Sequence, residues 1–324
     1  MRPSVLVVTR DKDISADPVV AQLIGRGLQV ARFDVGDFPE SLTQAAYLIP
    51  GRGRWTGSLK GAHRDVDLST VRAVWYRKPA PVGIHPGMTE TETQWATAEA
   101  TAGLGGLLAA LPDAHWVNHP DRNKAADHKP RQLALADACG LTVPESLLTN
   151  SPERARAFCH SNRETGVIYK PLTGGPGRQS GEPVALWAST VTADQITEGV
   201  ARTAHLFQVR VPCAYAARLT VVGRQMFAVR IDTPTGSSAV DWRSVHDHLA
   251  YTRIDVPDSV ADGMHQLMQT LQLVYSASDW IVTPDGVWTF IGDLNPNGQW
   301  AWLEQQVDVP ISEAIAEELA KECC

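Results

Sequence analysis

Cysteine is scarce in this chain, and the usual metal-site spacings of cysteine and histidine are missing. Only Cys323 and Cys324 lie close together among the five cysteines, and no CxxC occurs. This pattern argues against a disulfide framework and against a structural zinc site. The ten histidines contain no HExxH pattern, which excludes the common zinc protease helix. We therefore expect a reduced, cytoplasmic protein.

Long apolar runs, internal repeats and an excess of basic residues are also absent. No stretch approaches the length of a membrane span, and the apolar run of Val5 to Val8 is too short for a signal sequence. The net charge is −7, whereas a general nucleic-acid-binding protein is expected to be basic. We therefore expect neither a membrane nor a nucleic acid as a partner.

The composition is that of a globular protein with an α/β (α+β) fold. The 324 residues are 44% hydrophobic and 20% charged, enough for two or three compact units. We expect these units at residues 1–115, 116–202 and 203–324. The first begins with a strand at Val5–Val8, a helix near Pro18–Arg26 and a strand at Leu28–Phe33. This order is typical of a βαβ unit.

Three later segments have residue patterns that predict secondary structure. Residues 51–57 are rich in glycine but lack the spacing of a dinucleotide motif, so a hairpin is expected there. Asn123–Cys139 is predicted to be one helix, which Gly140 ends. From Thr203 onward the chain is rich in β-prone residues. A two-residue turn at Gly223-Arg224 is expected to join the strands Ala217–Val222 and Met226–Ile231.

The clearest signal is the segment from Asp279 to Trp300. Two β-prone runs flank Pro284-Asp285-Gly286, which is a strong hairpin signal. If the turn is centred on Asp285-Gly286, Asp279 falls opposite Asp293. Asn295 follows two residues later and so shares a strand face with Asp293. Two carboxylates and an amide oxygen are thus expected to meet at the open end of this hairpin.

These oxygen donors predict a site for Mg²⁺ or Mn²⁺. Like charges this close repel each other and are costly to desolvate, and a divalent cation removes both problems. Oxygen ligands favour these ions over zinc, and Mg²⁺ sites with few protein ligands usually also hold substrate phosphates. The alternative is a surface hairpin with solvated acids, which explains Asp285 in the turn but explains Asp293 and Asn295 poorly. The segment therefore points to a nucleotide enzyme.

A lysine followed by a glycine-rich loop indicates a second phosphate-binding feature. Lys170 lies in the predicted strand Gly166–Leu172, and Gly174, Gly175 and Gly177 follow it. Glycines let backbone N–H groups approach anionic oxygens, and a lysine meets a phosphate as a point charge. The loop lacks the Gly-Lys-Ser/Thr ending of a P-loop. A mobile surface loop remains the alternative.

Five other charged residues have positions that need an explanation. Lys129 lies in a predicted helix, where a lysine is normally solvated. Arg218 lies in a strand with few other charges, and Arg230 has a similar position in the returning strand. An arginine in such a place requires an anion. Asp241 and Arg243 follow a Gly-Ser-Ser loop, and their alternative is an exposed turn with a weak ion pair.

The order of these features resembles that of the ATP-grasp enzymes. A helix lysine, a strand lysine with a glycine-rich loop, a glutamine strand and an arginine strand pair precede Asp…Asp-x-Asn. Four phrases resemble, more narrowly, the ATP-grasp maturases of ribosomal peptides, also called graspetide or microviridin-type peptide synthetases. They are VWYRKP at Val74–Pro79, WVNHP at Trp116–Pro120, DWR at Asp241–Arg243 and NPNGQW at Asn295–Trp300. The resemblance covers nearly the whole chain, and NPNGQW is its most specific part.

The resemblance implies a fold and a reaction. The fold would have an N-terminal pre-ATP-grasp domain, a central domain and a C-terminal ATP-grasp domain. The enzyme would phosphorylate Asp or Glu side chains of a precursor peptide, which consists of a leader and an acidic core. Attack by Ser, Thr or Lys would then close an ester or amide ring. ATP and Mg²⁺, with two ions, are the implied cofactors, and a homodimer and leader docking near the second unit are also implied.

The resemblance also implies roles for individual residues. The ATP phosphates would lie against Lys129, Lys170, Gly174, Gly175 and Gly177. Adenine would lie near Gln208, Val209 and Val211. The transferred phosphoryl group would meet Arg218 and Arg230, and the acceptor carboxylate would meet Arg77, Asp241 and Arg243. The metal ligands would be Asp279, Asp293 and Asn295.

The chain departs from the family pattern at two positions. Ala216 stands where related ligases often have an acid, and Asp293 stands where Glu is common. Neither change abolishes oxygen ligation. The first alternative function is an ATP-grasp ligase of a small molecule or of a protein C-terminus, similar to glutathione synthetases or ribosomal-protein glutamate ligases, but the phrases Trp75–Pro79 and Asp241–Arg243 favour the maturase. The second is a non-catalytic peptide-binding module. The intact acid triad and both lysines argue against the second alternative.

Overall fold

A parallel sheet and an antiparallel sheet make up the first third of the chain. The structure is a computed structural model that describes residues 4–62, 64–111, 113–173, 177–179, 182–184, 186–233, 241–244 and 249–323. The elements here are β1 Ser4–Val8, α1 Asp17–Gly25, β2 Gln29–Phe33, β3 Thr43–Leu48, β4 Trp55–Lys60, β5 Asp65–Asp67, β6 Val71–Tyr76, α2 Glu90–Ala109 and β7 His115–Val117. The parallel sheet has the order β2-β1-β6-β7, and β3, β4 and β5 form the other. The predicted βαβ unit and the predicted hairpin near Gly51 are both confirmed.

The middle of the chain forms a second sheet with the order β12-β9-β13-β8. Its elements are α3 Pro120–Ala126, α4 Lys129–Ala138, β8 Ser146–Thr149, α5 Pro152–Ser161, β9 Val167–Lys170, β10 Gly177–Gln179, β11 Glu182–Val184, β12 Ser189–Val191 and β13 His205–Val209. Strands β10 and β11 pair as a separate hairpin. Because β13 pairs with β8 and β9, it belongs to this sheet although it follows residue 203. The unit boundaries themselves stay predictions.

The prediction of one helix over Asn123–Cys139 was wrong, because the chain forms α3 and α4 with a break between them. Pro130 is the cause. It has no N–H to donate to the carbonyl of Ala126, and its ring crowds that carbonyl in a continuous helix. The side chain of Gln132 donates to the freed oxygen instead, at 2.8 Å. The break makes Lys129 the first residue of α4 rather than a residue of a helix interior.

A five-stranded antiparallel sheet with the order β16-β15-β14-β17-β18 forms the last third of the chain. Its elements are β14 Tyr215–Val222, β15 Gln225–Asp232, β16 Ala250–Ile254, α6 Asp258–Leu271, β17 Tyr275–Val282, β18 Trp288–Asn295, α7 Ala301–Val307 and α8 Ile311–Ala320. Helix α6 covers one face through residues such as Met264 and Leu267. Helices α8 and α1 pack against the other face together with Trp300, which joins this sheet to the N-terminal one.

The acidic hairpin, formed by β17 and β18, contains two irregularities. Its turn is a three-residue loop, because Thr283 donates to Val287 O at 3.0 Å and Gly286 has a φ of 84°. The loop is therefore centred on Asp285 and not, as predicted, on Asp285-Gly286. The register also shifts beside Gly292, whose φ is 70°, so that extra residues of β18 face β17. Beyond this bulge Ser278 pairs with Leu294. Extending that register places Asp279 opposite Asp293, and this predicted pairing depends on the bulge, because a turn centred on Asp285-Gly286 without one would pair Asp279 with Gly292.

No helix within the described residues has the length and apolar character needed to cross a membrane.

Candidate active site

Two lysines approach the acidic hairpin from different elements. Lys170 ends β9 and is 5% exposed, and its Nζ donates to the carbonyl of Ile291 at 2.7 Å. Lys129 begins α4, and its Nζ lies 3.8 Å from Asp293 Oδ1. The side chain of Lys129 is only 18% exposed, which does not fit the alternative of a solvated helix lysine. Burial lowers the pKa of Lys170 to about 8, against the opposing charge of Asp293.

Arg243 lies between the two carboxylates that the sequence predicts as metal ligands. Its Nη2 donates to Asp293 Oδ2 at 2.9 Å, and its Nη1 lies 3.4 Å from Asp279 Oδ2. Asp241 binds the same guanidinium through both oxygens, at 2.9 and 2.8 Å. The alternative of an isolated exposed turn is thus excluded, since Asp241 is itself buried. The Arg243 guanidinium therefore occupies the position between Asp279 and Asp293, where the repulsion between the two carboxylates requires a positive charge.

The two hairpin carboxylates have opposite pKa shifts. Burial raises the pKa of Asp279, and the charge of Asp293 adds to this effect while Arg218 opposes it. Burial also acts to raise the pKa of Asp293, but Lys170, Arg243 and Lys129 outweigh it and lower the pKa to about 2. Burial would lower the pKa of Arg243, yet its carboxylate partners raise it. Asp293 is therefore ionised at neutral pH and depends on the surrounding cations.

Arg218 links the acidic hairpin to the N-terminal sheet. It extends from β14, and its Nη1 donates to Asp279 Oδ1 at 2.8 Å. Its Nη2 lies 3.5 Å from the backbone carbonyl oxygen of Gln299. The side-chain oxygen of the same Gln299 accepts a hydrogen bond from Arg77 Nη2 at 2.6 Å. Arg77 also donates to Asp13 at 2.8 Å and is 2% exposed. Arg77 thus lies close to Arg218 through Gln299, and its guanidinium already holds Gln299 and Asp13.

A cavity of about 190 Å³ opens beside Lys170 and Asp279. Its lining includes the residues predicted to lie near adenine, namely Gln208, Val209 and Val211, together with Ala216, Asp241 and Arg243. The amide of Gln208 donates to Ser146 Oγ at 3.1 Å, so β13 presents mainly backbone and apolar atoms to this space. Of the predicted loop glycines, Gly174 and Gly175 lie outside the described residues, and Gly177 begins β10. Of the two lysines, Lys170 belongs to the lining of this cavity and Lys129 does not.

The structure does not bring Arg230 to this cluster. Arg230 pairs with Ala217 across the sheet, whereas Arg218 pairs with Val229. Since paired residues share a face and neighbours along a strand alternate, Arg218 and Arg230 lie on opposite faces. Arg230 instead binds Asp232 through two hydrogen bonds of 2.7 Å and stacks on Tyr215 at 4.2 Å. Its predicted contact with the transferred phosphoryl group has no support in this placement.

Asn295 lies on the expected face but is engaged locally. It pairs with Ala277, which lies two residues from Asp279 on β17, so the two predicted ligands share a face. Asn295 is exposed, and its side-chain oxygen accepts from Asn297 N–H at 2.8 Å. Its amide oxygen is the most accessible of the three predicted metal ligands.

Two buried amides that support the site were missed in the sequence. Gln132 binds both the N–H and the carbonyl of Leu294, at 3.0 and 2.8 Å, which fixes β18 beside Asp293. Asn118 makes four hydrogen bonds, to the backbone of Val274, Tyr275 and Pro296. Asn118 belongs to one of the family-like phrases, but nothing in the sequence gave it this role. The contact of Gln132 with β18 had no local signal, because Leu294 lies 162 residues away in the chain.

The donor set of the acidic hairpin fits Mg²⁺. Within the described residues no group of three or more His, Cys, Asp or Glu side chains could hold a metal. Two carboxylates and an amide oxygen are a smaller, all-oxygen set, of the kind Mg²⁺ uses when waters or phosphates complete its shell. Asp279 Oδ2 is buried without a hydrogen-bond partner in the same part of the chain. The ion pair with Arg243 Nη1 at 3.4 Å puts positive charge beside this oxygen without a hydrogen bond, and a metal ion could replace that charge.

Comparisons with known proteins place this geometry in a family. The family model of the MvdD pre-ATP grasp domain matches residues 4–124. Macrocyclase MdnC of Microcystis aeruginosa MRC, solved with precursor peptide MdnA, is 30% identical with a TM-score of 0.84. The match covers 98% of this chain and 99% of MdnC. This chain belongs to the ATP-grasp peptide macrocyclases. It is therefore an ATP-dependent ligase, and the predicted fold and family are confirmed.

Two further structures of this macrocyclase family are similar along their whole length. A RiPP-associated ATP-grasp ligase of Chryseobacterium gregarium, solved with ADP and a leader and core peptide, is 27% identical with a TM-score of 0.88. The match covers 98% of this chain and 96% of that ligase. Macrocyclase MdnB of Microcystis aeruginosa MRC is 28% identical with a TM-score of 0.81, over 98% and 99% of the two chains. A search of curated proteins gave no match.

Proposed function

We propose that this macrocyclase joins Asp or Glu side chains of a ribosomally made precursor peptide to Ser, Thr or Lys side chains of the same peptide. The observation that carries the proposal is the cluster in which Arg218 and Arg243 contact Asp279 beside a cavity. Such a cluster suits transfer of a phosphoryl group between two anionic partners. MdnC and the Chryseobacterium ligase, both bound to their peptides, support the peptide as the acceptor.

The nucleotide would occupy the cavity and the lysine side of the cluster. Lys129 and Lys170 would contact its phosphates, and the glycine loop after Lys170 would cover them. The adenine would lie against Gln208 and the backbone of Val209 and Val211. The cluster has four cationic side chains, which are Lys129, Lys170, Arg218 and Arg243. It has three carboxylates, which are Asp241, Asp279 and Asp293. This balance favours an anionic ligand.

We propose that Asp279, Asp293 and Asn295 hold Mg²⁺, with two ions in the complete site. When bound, the metal would neutralise the charge that develops on the transferred phosphoryl group. Arg243 now makes the contacts with Asp279 and Asp293 that a metal would make. It keeps Asp241 as a third partner, which would hold the guanidinium near the site after the other two contacts are lost.

The reaction would proceed in two steps. A carboxylate oxygen of the peptide attacks the γ-phosphorus of ATP, ADP leaves, and an acyl phosphate forms. A hydroxyl or amine of the same peptide then attacks the acyl carbon, inorganic phosphate leaves with the bonding electrons, and the nucleophile loses its proton. The peptide loses one water in total for each ATP consumed. Arg218 and Arg243 would orient the acceptor carboxylate and reduce its repulsion by the nucleotide.

Intact-mass analysis tests this function directly. A small acidic peptide encoded beside this gene is incubated with the enzyme, ATP and Mg²⁺. The expected result is the loss of one water mass for each ATP hydrolysed. The variant Asp279→Ala should abolish the loss. Asp285→Ala is the matched control, because this aspartate lies exposed in the turn of the same hairpin and should leave the loss unchanged.

The same experiment separates the function from its alternatives. Unchanged peptide mass together with ATP-dependent ligation of an amino acid would establish a small-molecule ligase. ATP that is bound but never consumed would indicate a non-catalytic binding module. We also propose a homodimer, for which size-exclusion chromatography with light scattering should give twice the monomer mass of 35.2 kDa.

A further inference from the structure

A crevice in the N-terminal sheet lies next to the active-site cluster. In the strand order β2-β1-β6-β7, the chain leaves β1 toward β2 and leaves β6 toward β7. The loops after β1 and β6 therefore separate at their carboxyl ends, which is where open α/β sheets usually bind ligands. Arg77 follows β6, and its contact with Gln299 brings this crevice to the side of Arg218. The crevice is thus a continuation of the active site away from the lysines.

The charges in this crevice are unbalanced. Arg77 is paired with Asp13, and Arg218 is paired with Asp279, both at 2.8 Å. Lys78, which follows Arg77, has no acid within ion-pair distance in the described part of the chain. Burial lowers the pKa of the Lys78 ammonium, Arg77, Arg10 and Arg218 lower it further, and Asp13 opposes them.

A half-buried ammonium in this position has an unusual environment. Lysines are rarely buried without a partner, because water solvates the charge better than the protein does. Tyr76 pairs with Val8, and the N–H of Arg77 donates to the carbonyl of Val8 at 3.0 Å, so Lys78 and Arg10 each lie two residues beyond the same paired position of β6 and β1. Arg10, on the loop after β1, is exposed and likewise has no acid within ion-pair distance among the described residues. An anion held between Lys78 and Arg10 would remove this imbalance.

The position of the crevice decides which anion this is. The proposed ATP phosphates lie at Lys129 and Lys170, on the far side of Asp279 and Arg218 from Lys78. The carboxylate that is phosphorylated must lie between the nucleotide and Arg218. An anion at Lys78 is therefore a different group, displaced toward the N-terminal sheet. Given the proposed substrate, a neighbouring acidic side chain of the same peptide has the right charge and is covalently tied to the acceptor.

We propose that Lys78 and Arg10 form a second carboxylate-binding subsite, which holds an acidic side chain of the peptide other than the one being phosphorylated. This inference rests on the proposed function. Lys78 is then a positioning residue, which selects peptides with two acids at a suitable spacing and fixes which of them reaches Arg218. Charged contacts of this kind contribute mainly to specificity and register.

Peptide variants combined with Lys78→Met test this subsite. Each acidic residue of the peptide is replaced in turn by its amide, and KM and kcat are measured by the rate of water loss. For the natural peptide, Lys78→Met should raise KM about tenfold, as expected for the loss of one charge-assisted hydrogen bond, with kcat nearly unchanged. For the peptide that lacks the bound second acid, the same variant should have no effect on KM. Lys78→Arg should restore most of the affinity for the natural peptide.

Two controls keep the outcome interpretable. Lys12→Met removes an exposed lysine from the loop after β1 and should leave KM unchanged. A KM for Lys78→Met that equals the wild-type value overturns the inference, and so does a rise that is the same for every peptide. Failure of the wild-type enzyme to change any peptide mass refutes the proposed function instead, and so the two failures are distinct.

Discussion

Replacing Arg243 by glutamine should make the acidic hairpin bind a divalent cation more tightly. The guanidinium lies 2.9 Å from Asp293 Oδ2 and within 3.4 Å of Asp279 Oδ2, on the oxygens that a metal would use. Metal binding therefore requires that these contacts be lost. Arg243→Gln removes the competitor and leaves two carboxylates that repel each other until a cation is bound. Metal affinity should rise although a proposed catalytic residue has been removed.

The size of the effect follows from the charges. Two unit charges about 4 Å apart interact by about 4 kcal/mol at the effective dielectric constant of a protein surface. Arg243 makes two such contacts with the predicted ligands. A third of its side chain is exposed, so solvent screens most of this interaction energy, and the contact with Asp241 persists when the other two are lost. A net change of about 1.4 to 2.8 kcal/mol, or about ten- to a hundredfold in Kd, is expected.

Mn²⁺ serves as the probe, because its free concentration is measured by electron paramagnetic resonance without any turnover. The matched control is Arg156→Gln, which removes a half-buried arginine that binds Glu198 and the carbonyl of Ile196 in the central sheet region. It should leave the Mn²⁺ affinity unchanged. Without metal, Arg243→Gln should also lower the melting temperature, and Mn²⁺ should restore it. Equal or weaker Mn²⁺ binding by Arg243→Gln would refute the idea that this arginine occupies the metal position.

Three further changes test the surroundings of the site. Asp293→Asn should reduce turnover about a hundredfold or more while circular dichroism stays native, and unchanged turnover in Mg²⁺ would contradict its assignment as a ligand. Gly298→Ala places a Cβ 2.5 Å from the Cβ of Ala277 and 2.9 Å from Arg218 Nη2. We expect kcat to fall and the free energy of unfolding to drop by about 1–3 kcal/mol, and a fully active, equally stable variant would disprove the close approach. Gln132→Leu leaves the backbone groups of Leu294 unpaired and should cost about 2–4 kcal/mol in urea unfolding, and a loss below 0.5 kcal/mol would show that water replaces the amide.

The parts of the site that were predictable are those encoded by local patterns. The alternation of β17 and β18 around Pro284-Asp285-Gly286 predicted the hairpin and the approach of Asp279 to Asp293. The bulge beside Gly292 was not predictable, since a single glycine in a strand does not reveal its φ. The contact of Arg243 with Asp293 joins segments 50 residues apart, and no periodicity encodes such a contact. These positions are set by packing between units rather than by the local sequence.

The placement of Arg230 relative to Arg218 follows from the turn that joins their strands. With a two-residue turn at Gly223-Arg224, residue 222 pairs with residue 225, and the observed register agrees. Counting outward, Arg218 meets Val229 and not Arg230. Arg218 and Arg230 therefore point to opposite faces of the sheet. The predicted turn contains this register, whereas the roles of the two arginines in phosphoryl transfer rest on the family resemblance and stay predictions.

The role of Arg243 follows from the same electrostatic reasoning as the metal site itself. Two buried carboxylates at the end of one hairpin are unfavourable without a cation, and a folded enzyme that awaits its metal must still contain them. Arg243 meets this requirement from within the chain. If a metal took over Asp279 and Asp293, the guanidinium would keep only Asp241 and would gain free donors at the point where an acceptor carboxylate would arrive. Metal binding should therefore strengthen binding of the peptide carboxylate, and by linkage the peptide should strengthen metal binding by the same factor. Arg243, with a different partner in each state, would couple the two binding events without fixing their order.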